Sequence, residues 1–550
     1  MADSAPASTG SPSTAKPQAA PYPGTHDMPQ WNVGELVDAP RFTAKNWFAM
    51  LGPGLLMGGA AIGGGEWLVG PIVTAKYGGA MLWLATLSIL GQVVYNIEIS
   101  RYTLYSGEPI FNGKFRTLPG PRFWVFVYIA LDFGMVFPYL AANAATPLAS
   151  VMLGEVPDPN SGATATILGV TMTHKTLLRA LGYAIFLGAM LPLIFGGKIY
   201  NALKWLMTFK IVVVFGFLVI LGIGWSTWDT WGEIFSGFFK FGNVPIPTGK
   251  GEPGKTVNIF ASVFSGEGFP QIDWSLIAFL SALVAISGSG GLSNTPVSNY
   301  TRDQGWGMGH HVGAIGSVIG GRDLQLSHVG TVFIPTPHDE SMPRWKRWYK
   351  HVCRDQLVVW MPACFLGLAL PSMLSVQFLK RGTEAPDQWT AAAMTADAVS
   401  ETVGATISSL GPLFWLMTLF CGFLVLAPSM STSADGFIRR WVDVFWTSSR
   451  KLQKVDPRNV RYVYFAVLVV YVAFGLTMLS LEEPSTLITI ATTIFNFALG
   501  ISCWHTLAVN MILLPEPLRP NWFVRISMAL SGAFFLFIAT VAALQKLGMI

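Results

Sequence analysis

An all-α integral membrane protein with eleven transmembrane helices is the fold class this sequence predicts, on three observations. Only 12% of its 550 residues are charged, against 52% hydrophobic. Soluble proteins carry roughly 25% charged residues, so there is too little polar surface here to coat several soluble domains. From Trp47 onward, apolar stretches near the ~20 residues needed to span hydrocarbon follow one another along the chain. Lys and Arg are concentrated in every second loop between these stretches. Together these exclude a soluble enzyme, a disordered scaffold and a secreted disulfide protein. The cysteines (Cys353, Cys364, Cys421 and Cys503) stand far apart, without CxxC or zinc spacing. They read as small core residues.

Residues 1–46 are rich in Pro, Ala, Ser and Gly and hold no long apolar run. Such a segment is expected to be a disordered cytoplasmic tail, and it lacks the apolar region of a signal peptide. Residues 47–550 form the transmembrane domain. Its apolar runs are about 48–74, 81–105, 122–148, 177–196, 202–225, 274–301, 357–379, 407–434, 460–480, 485–513 and 522–545, numbered here as helices 1 to 11. Backbone groups in lipid must pair within a helix or a closed barrel, and runs this long exclude barrel strands.

The loops after helices 2, 4, 6, 8 and 10 hold 21 Lys and Arg, and the opposite set holds 7. The positive-inside rule then places the N-terminus in the cytoplasm and the C-terminus outside. The expected location is a plasma membrane of the bacterial inner-membrane kind. Trp345-Lys346-Arg347-Trp348-Tyr349-Lys350 reads as an interfacial helix with its aromatics at the lipid headgroups. The partners implied are the lipid bilayer and a small-molecule or ion substrate; nothing points to nucleic acid, to a cofactor or to a particular protein partner.

Two of these helices are interrupted. Helix 1 carries Gly63-Gly64-Gly65-Glu66 near its middle, and each Gly costs about 1 kcal/mol relative to Ala. Helix 6 carries Ser287-Gly288-Ser289-Gly290-Gly291, then Leu292-Ser293-Asn294-Thr295-Pro296. Unwound backbone at membrane depth is tolerated only where protein or a wet cavity satisfies it. Breaks in the first and sixth helices are what an inverted repeat of five plus five helices produces, with a midplane binding site between them. The repeats are expected at 47–226 and 274–513, with helix 11 at 522–545. Small-residue helix packing is the competing explanation for the glycines, but it leaves the polar residues after the helix 6 break unexplained.

The stretch Gly52-Pro53-Gly54-Leu55-Leu56 before a mid-helix break, Asp132 within ALDFGMV, and Asp435-Gly436-Phe437 in helix 8 resemble the NRAMP family (natural resistance-associated macrophage proteins). That resemblance implies a LeuT-like fold and proton-coupled transport of divalent metals. The family's metal-binding Asp-Pro-Gly-Asn, however, reads Gly63-Gly64-Gly65-Glu66 here. Its Met-Pro-His falls at Gly288-Ser289-Gly290, its second His near Thr295, and its partner acid in helix 3 at Met135. A thioether and a carboxylate that would select a transition metal are both missing from their places, so a bare metal site of the family type is not expected.

The Gly and Ser residues of the breaks leave backbone N–H groups at half-helix termini, which suit an oxyanion. The expected substrate is therefore a small organic anion, a carboxylate such as citrate, free or metal-complexed. Its expected contacts are Gly63, Gly64, Gly65, Glu66, Ser287, Gly288, Ser289, Gly290, Gly291, Ser293, Asn294 and Thr295. A carboxylate in a spanning helix is a functional candidate by default. Glu66 and Asp132 are the expected coupling-ion residues. Glu66 could also ligate a cation such as Mn, Fe or Mg, or pair with Lys76 or Lys210. Glu98 is expected to pair with Arg101, three residues on. Ser429, Ser431, Thr432 and Ser433 either line a cation site or satisfy backbone around Pro428. Asn496 and His505 are expected to bridge helices. His310, His311, His328, His338 and His351 crowd the loop 302–354 without the spacing of a closed zinc site. A membrane sensor built on the same core would want a soluble output domain, which these runs do not lead one to expect. HExxH, GxSxG and P-loop motifs are absent, so an enzyme is not expected.

Overall fold

The computed structural model describes residues 20, 22–43, 51–167, 169–195, 198–249, 252–319, 324–336, 339–383, 391, 393–481 and 483–549. Among them, ten helices are long and apolar enough to cross a membrane. Helix 2, Trp83–Ser106, is a 24-residue helix, ~36 Å at 1.5 Å per residue. It falls outside that set because it carries Gln92, Asn96, Glu98 and Arg101, yet it is buried along almost its whole length. Neighbouring helices, not lipid, satisfy its polar groups. Large apolar side chains such as Phe126, Ile223, Val470 and Phe537 are exposed instead on the outer helices, where lipid covers them.

Helices 1 and 6 are both broken, as the glycines predict. Helix 1 runs Pro53–Ala61, opens at 62–64, resumes as one turn of π-helix at Gly65–Val69 and continues as Gly70–Tyr77. Its N-terminus is capped from helix 7, where Asp355 accepts the N–H groups of Gly52 (3.2 Å) and Gly54 (2.6 Å). Those donors have no partner within a helix. Helix 6 runs Ile277–Ile286, breaks, forms a 3-10 turn at Gly291–Asn294 and resumes as Pro296–Asp303.

Three expectations are corrected. Helix 3 is not one run over 122–148. It stops at Asp132, passes through a 3-10 turn at Phe133–Val136 and restarts as Tyr139–Leu153, because Pro138 supplies no N–H to continue the first half. The basic aromatic stretch at 345–350 belongs to Ser341–Arg354, which runs on through Asp355–Trp360 into Met361–Phe378. Its Trp345 and Trp348 are buried against protein rather than offered to headgroups.

The third correction concerns the tail. Residues 22–38 are packed on the basic face of the helix bundle. Met28, Trp31 and Leu36 are buried, and Asn32–Val33 pairs in parallel with Thr331–Val332. Trp31 Nε1 donates to Glu108 (3.1 Å), and Arg116 donates to the Pro29 carbonyl (2.6 Å) while bridging Glu108. Burial pushes the Glu108 carboxyl up, but the Arg116 guanidinium and the hydrogen bonds from Arg116, Trp31 and Gly330 N–H outweigh it and hold the carboxyl below its ordinary value. Composition averaged over 46 residues hid these few anchors. Residues 1–19, 21 and 44–46 of the expected tail lie outside the described residues, as does His338 of the loop. Trp31→Ala is expected to release the strap at a local cost of about 3–5 kcal/mol, read as faster proteolysis within residues 22–38.

Candidate functional site

The two breaks, with helices 3, 8 and 10, enclose a small cavity with about 50 Å³ of free space. Its wall is largely apolar, with Met57, Met135, Met430, Tyr139 and Phe495 prominent, and with hydroxyls from Ser289, Ser293, Ser429, Thr432 and Ser433. Glu66 is the one acidic or basic side chain among the residues lining it.

Glu66 is fully buried. One carboxylate oxygen accepts the Gly63 N–H (3.0 Å), three residues back, in the manner of a capping box at the start of the second half of helix 1. The other accepts the Gly288 N–H (3.3 Å), where helix 6 opens. One carboxylate thus joins both breaks. On the other side of helix 6, Gln92 of helix 2 accepts the N–H groups of Ser289 (3.0 Å) and Gly290 (3.2 Å) and donates to the Ser287 carbonyl (2.7 Å).

These bonds change the reading of the expected anion cradle. The free N–H donors of Gly288, Ser289 and Gly290 are already taken by the protein's own Glu66 and Gln92. Of the expected contact residues, Gly63, Gly64, Glu66, Gly288, Ser289 and Ser293 line the cavity. Ser287, Gly290, Gly291, Asn294 and Thr295 are not among its lining residues. Gly65 opens the π turn beneath them. Asn294 donates to Asn96 (2.8 Å), and the Thr295 hydroxyl donates to the Leu292 carbonyl (2.7 Å). Ser293 donates to the Met135 sulfur (3.0 Å).

The glycines also separate by role. Gly290 has φ +72°, and a Cβ there would stand 1.9 Å from the Ala285 carbonyl oxygen. Its bareness is required by the fold. At Gly64 a Cβ would meet Tyr139 and Leu140 side chains at 3.0 and 3.3 Å, contacts that side-chain shifts can absorb. Gly290→Ala is therefore expected to fail to give a monodisperse protein. Gly64→Ala should fold and narrow the cavity, which size-exclusion chromatography followed by ligand-induced thermal stabilisation would show.

Asp132 is buried away from the cavity. Its carboxylate accepts from Arg440 (2.7 Å) and from Trp441 Nε1 (2.8 Å) of helix 8. Arg440 also donates to the Leu292 carbonyl (3.0 Å) just past the helix 6 break. Glu98 pairs with Arg101 (2.9 Å), as its spacing predicts. Asn496 and His505 bridge helices: Asn496 donates to Ser281, and His505 contacts Tyr128 and Thr117. Among the described residues, no group of three or more His, Cys, Asp or Glu could hold a metal ion.

Below the cavity, on the basic face, a buried ionic cluster ties helix 6 to helices 8 and 9. Arg302 bridges Asp303 (2.9 Å) and Asp443 (2.6 Å), and Arg439 bridges Asp303 and Asp435. Tyr300 and Tyr464 donate to Asp435 (2.8 and 2.6 Å). Sequence reasoning singled out Asp435 but not this cluster. Its residues are scattered from Tyr300 to Tyr464, and only the fold brings them together.

No protein-family model matches the chain, and no curated protein matches it. Solved structures do. The manganese transporter of Eremococcus coleocola, in complex with an aromatic bis-isothiourea substituted compound, superposes with TM-score 0.57 at 13% identity, over 92% of this chain and 88% of that one. Two variants of the same transporter give TM-scores of 0.57 and 0.56 at 12% and 13% identity, with the same coverage. The chain shares the fold of these transporters, the LeuT-like helix arrangement that the family resemblance implies, with helices 1 and 6 broken as the glycines predict.

Proposed function

We propose that this chain is a proton-coupled secondary transporter of a small organic solute, with Glu66 as the proton-carrying group. The observation that carries the proposal is the double attachment of Glu66, to Gly63 N–H in helix 1 and Gly288 N–H in helix 6. Hydrogen bonds to an ionised acceptor are roughly twice as strong as neutral ones. Protonating the carboxyl weakens both links at once and turns one oxygen into a donor. Proton binding is thereby tied to the geometry of the two broken helices, which is what coupled alternating access requires.

The lining supports an organic substrate over a bare dication. One carboxylate among thioethers, aromatics and hydroxyls is a poor match for the oxygen-rich shell of Mg²⁺ or Mn²⁺. Calorimetric titration with Mn²⁺ alone is expected to give no saturable binding in the micromolar range. A second reading, an organic anion such as citrate, free or metal-complexed, draws support from the Ser289 hydroxyl, which is buried at the cavity wall with no hydrogen-bond partner. It can turn a donor toward a carboxylate once Glu66 is neutral.

The basic loops support an N-terminus in the cytoplasm and a C-terminus outside, and we assign the moving parts to the two repeats, 47–226 and 274–513. The test is thermal stabilisation of purified protein across organic cations, neutral polar solutes, organic acids and metals, because a ligand bound only by the native state raises stability by mass action. The reading expects an organic compound to stabilise wild type and to lose its effect with Gly64→Ala. Stabilisation by metals alone would refute it.

A further inference from the structure

The helix that enters the membrane as helix 7 begins well before its apolar run. Ser341–Phe378 is helical throughout its 38 residues, about 57 Å at 1.5 Å per residue, where hydrocarbon takes roughly 30 Å. Its first turns therefore stand at and beyond the headgroups on the basic side of the bundle. They divide by face. Trp345, Trp348 and Val352 are buried against protein, whereas Lys346, Arg347 and Lys350 are exposed. Trp348 Nε1 donates to the Val37 carbonyl of the strap (2.8 Å), and the Trp345 ring packs on Phe333 of the loop. Seating the tryptophans inward turns the basic side outward. Arg354 follows, half-buried, its guanidinium 4.3 Å from the centre of the Phe42 ring. Leu357 and Val358 come next, 43% and 66% exposed.

From Lys346 through Lys350 and Arg354 to Leu357 and Val358, the exposed residues follow one another in steps of three or four, so they share one side of the helix. The side that Leu357 and Val358 present to acyl chains is the side that carries the cations. Arg354 stands about 6 Å and Lys350 about 12 Å before Val358 along the axis, and their long stems can place charge at the headgroup level that borders the hydrocarbon. The acids nearby are already engaged: Glu35 pairs with Arg344, and Asp38 and Glu340 pair with Arg347. Lys346 and Lys350 form no ion pair among the described residues. Basic residues clustered just outside a spanning helix attract anionic lipid. We infer that Lys346, Lys350 and Arg354 form a docking site for the phosphate headgroup of an anionic phospholipid in the leaflet on the basic side, with its acyl chains along Leu357 and Val358.

Lipid binding of this kind does not depend on what the protein transports. The probe is phosphatidylglycerol, titrated against phosphatidylcholine of the same acyl chains into the delipidated full chain in detergent, with bound lipids resolved by native mass spectrometry. Wild type should retain phosphatidylglycerol in preference, and salt should weaken that preference. Lys346→Gln/Lys350→Gln changes two exposed side chains and should lower the phosphatidylglycerol affinity about fivefold per charge removed, leaving phosphatidylcholine binding unchanged. Adding Arg354→Gln should lower it further, and Lys346→Gln alone serves if the double variant does not fold. Lys451→Gln/Lys454→Gln removes the same charge from exposed positions on the same side of the bundle and should bind as wild type does. Wild type without a preference would overturn the inference, as would a folded Lys346→Gln/Lys350→Gln chain that keeps it or an equal loss in Lys451→Gln/Lys454→Gln. Displacement of the lipid by free glycerol 3-phosphate would also overturn it, since the site would then belong to a soluble anion.

Discussion

Glu66→Gln is expected to abolish uptake driven by an inward proton gradient in proteoliposomes while leaving a folded, monodisperse protein. The amide is nearly isosteric with the carboxyl, so the packing around helix 1 can persist. It offers one oxygen acceptor where the carboxylate offers two, and its NH₂ must face one of the two backbone donors, Gly63 N–H or Gly288 N–H. One link between the broken helices is lost on the scale of a hydrogen bond to a charged group, about 1.5–3 kcal/mol. More important, the amide cannot exchange a proton, so the loss of gradient-driven uptake should be complete while exchange without a gradient persists. Measuring both in the same vesicles separates coupling from binding. Full gradient-driven uptake by the variant would remove Glu66 from the coupling role.

Arg440→Met is expected to cost about 3–5 kcal/mol of stability, because it strands a buried carboxylate. Arg440 answers the Asp132 charge and also satisfies the Leu292 carbonyl beside the helix 6 break. Asp132→Asn should cost a similar amount by stranding the guanidinium. The double variant Asp132→Asn/Arg440→Met should cost clearly less than the sum of the two, the mark of direct coupling. Thermal midpoints of the four proteins in one detergent complete the cycle. Strict additivity would mean that the pair does not hold the helices together.

The sequence made the architecture readable wherever the physics is local. Apolar run length gave the spans, and Gly63-Gly64-Gly65 and Ser287 to Gly291 marked the breaks, because both signals act through neighbouring backbone. Helix 2 was legible as the apolar run 81–105, but the partners of its polar residues were not, since Gln92 and Glu98 are satisfied by residues nearly 200 and more than 400 positions away, Ser287 and Asn510. The strap at 22–38 was missed for the same reason: Trp31 acquires meaning only beside Glu108. At the site, the rule that intramembrane acids are functional candidates found Glu66 and Asp132 alike. Only their surroundings tell them apart, one lining the cavity and joining the breaks, the other neutralised by Arg440. The glycines looked equivalent as letters. The positive φ of Gly290 and its closeness to the Ala285 carbonyl are properties of the folded chain.

The most direct test of a proton-coupled organic-solute transporter is accumulation itself. Proteoliposomes carrying the wild-type chain are given an inward proton gradient and an external mixture of small organic solutes and divalent metals, and their contents are then identified by mass spectrometry. The proposed function predicts that at least one organic solute is concentrated inside, that a protonophore abolishes the accumulation, and that Glu66→Gln vesicles do not accumulate it. Accumulation of Mn²⁺ or another bare metal with no organic solute, or organic uptake indifferent to the proton gradient, would contradict it.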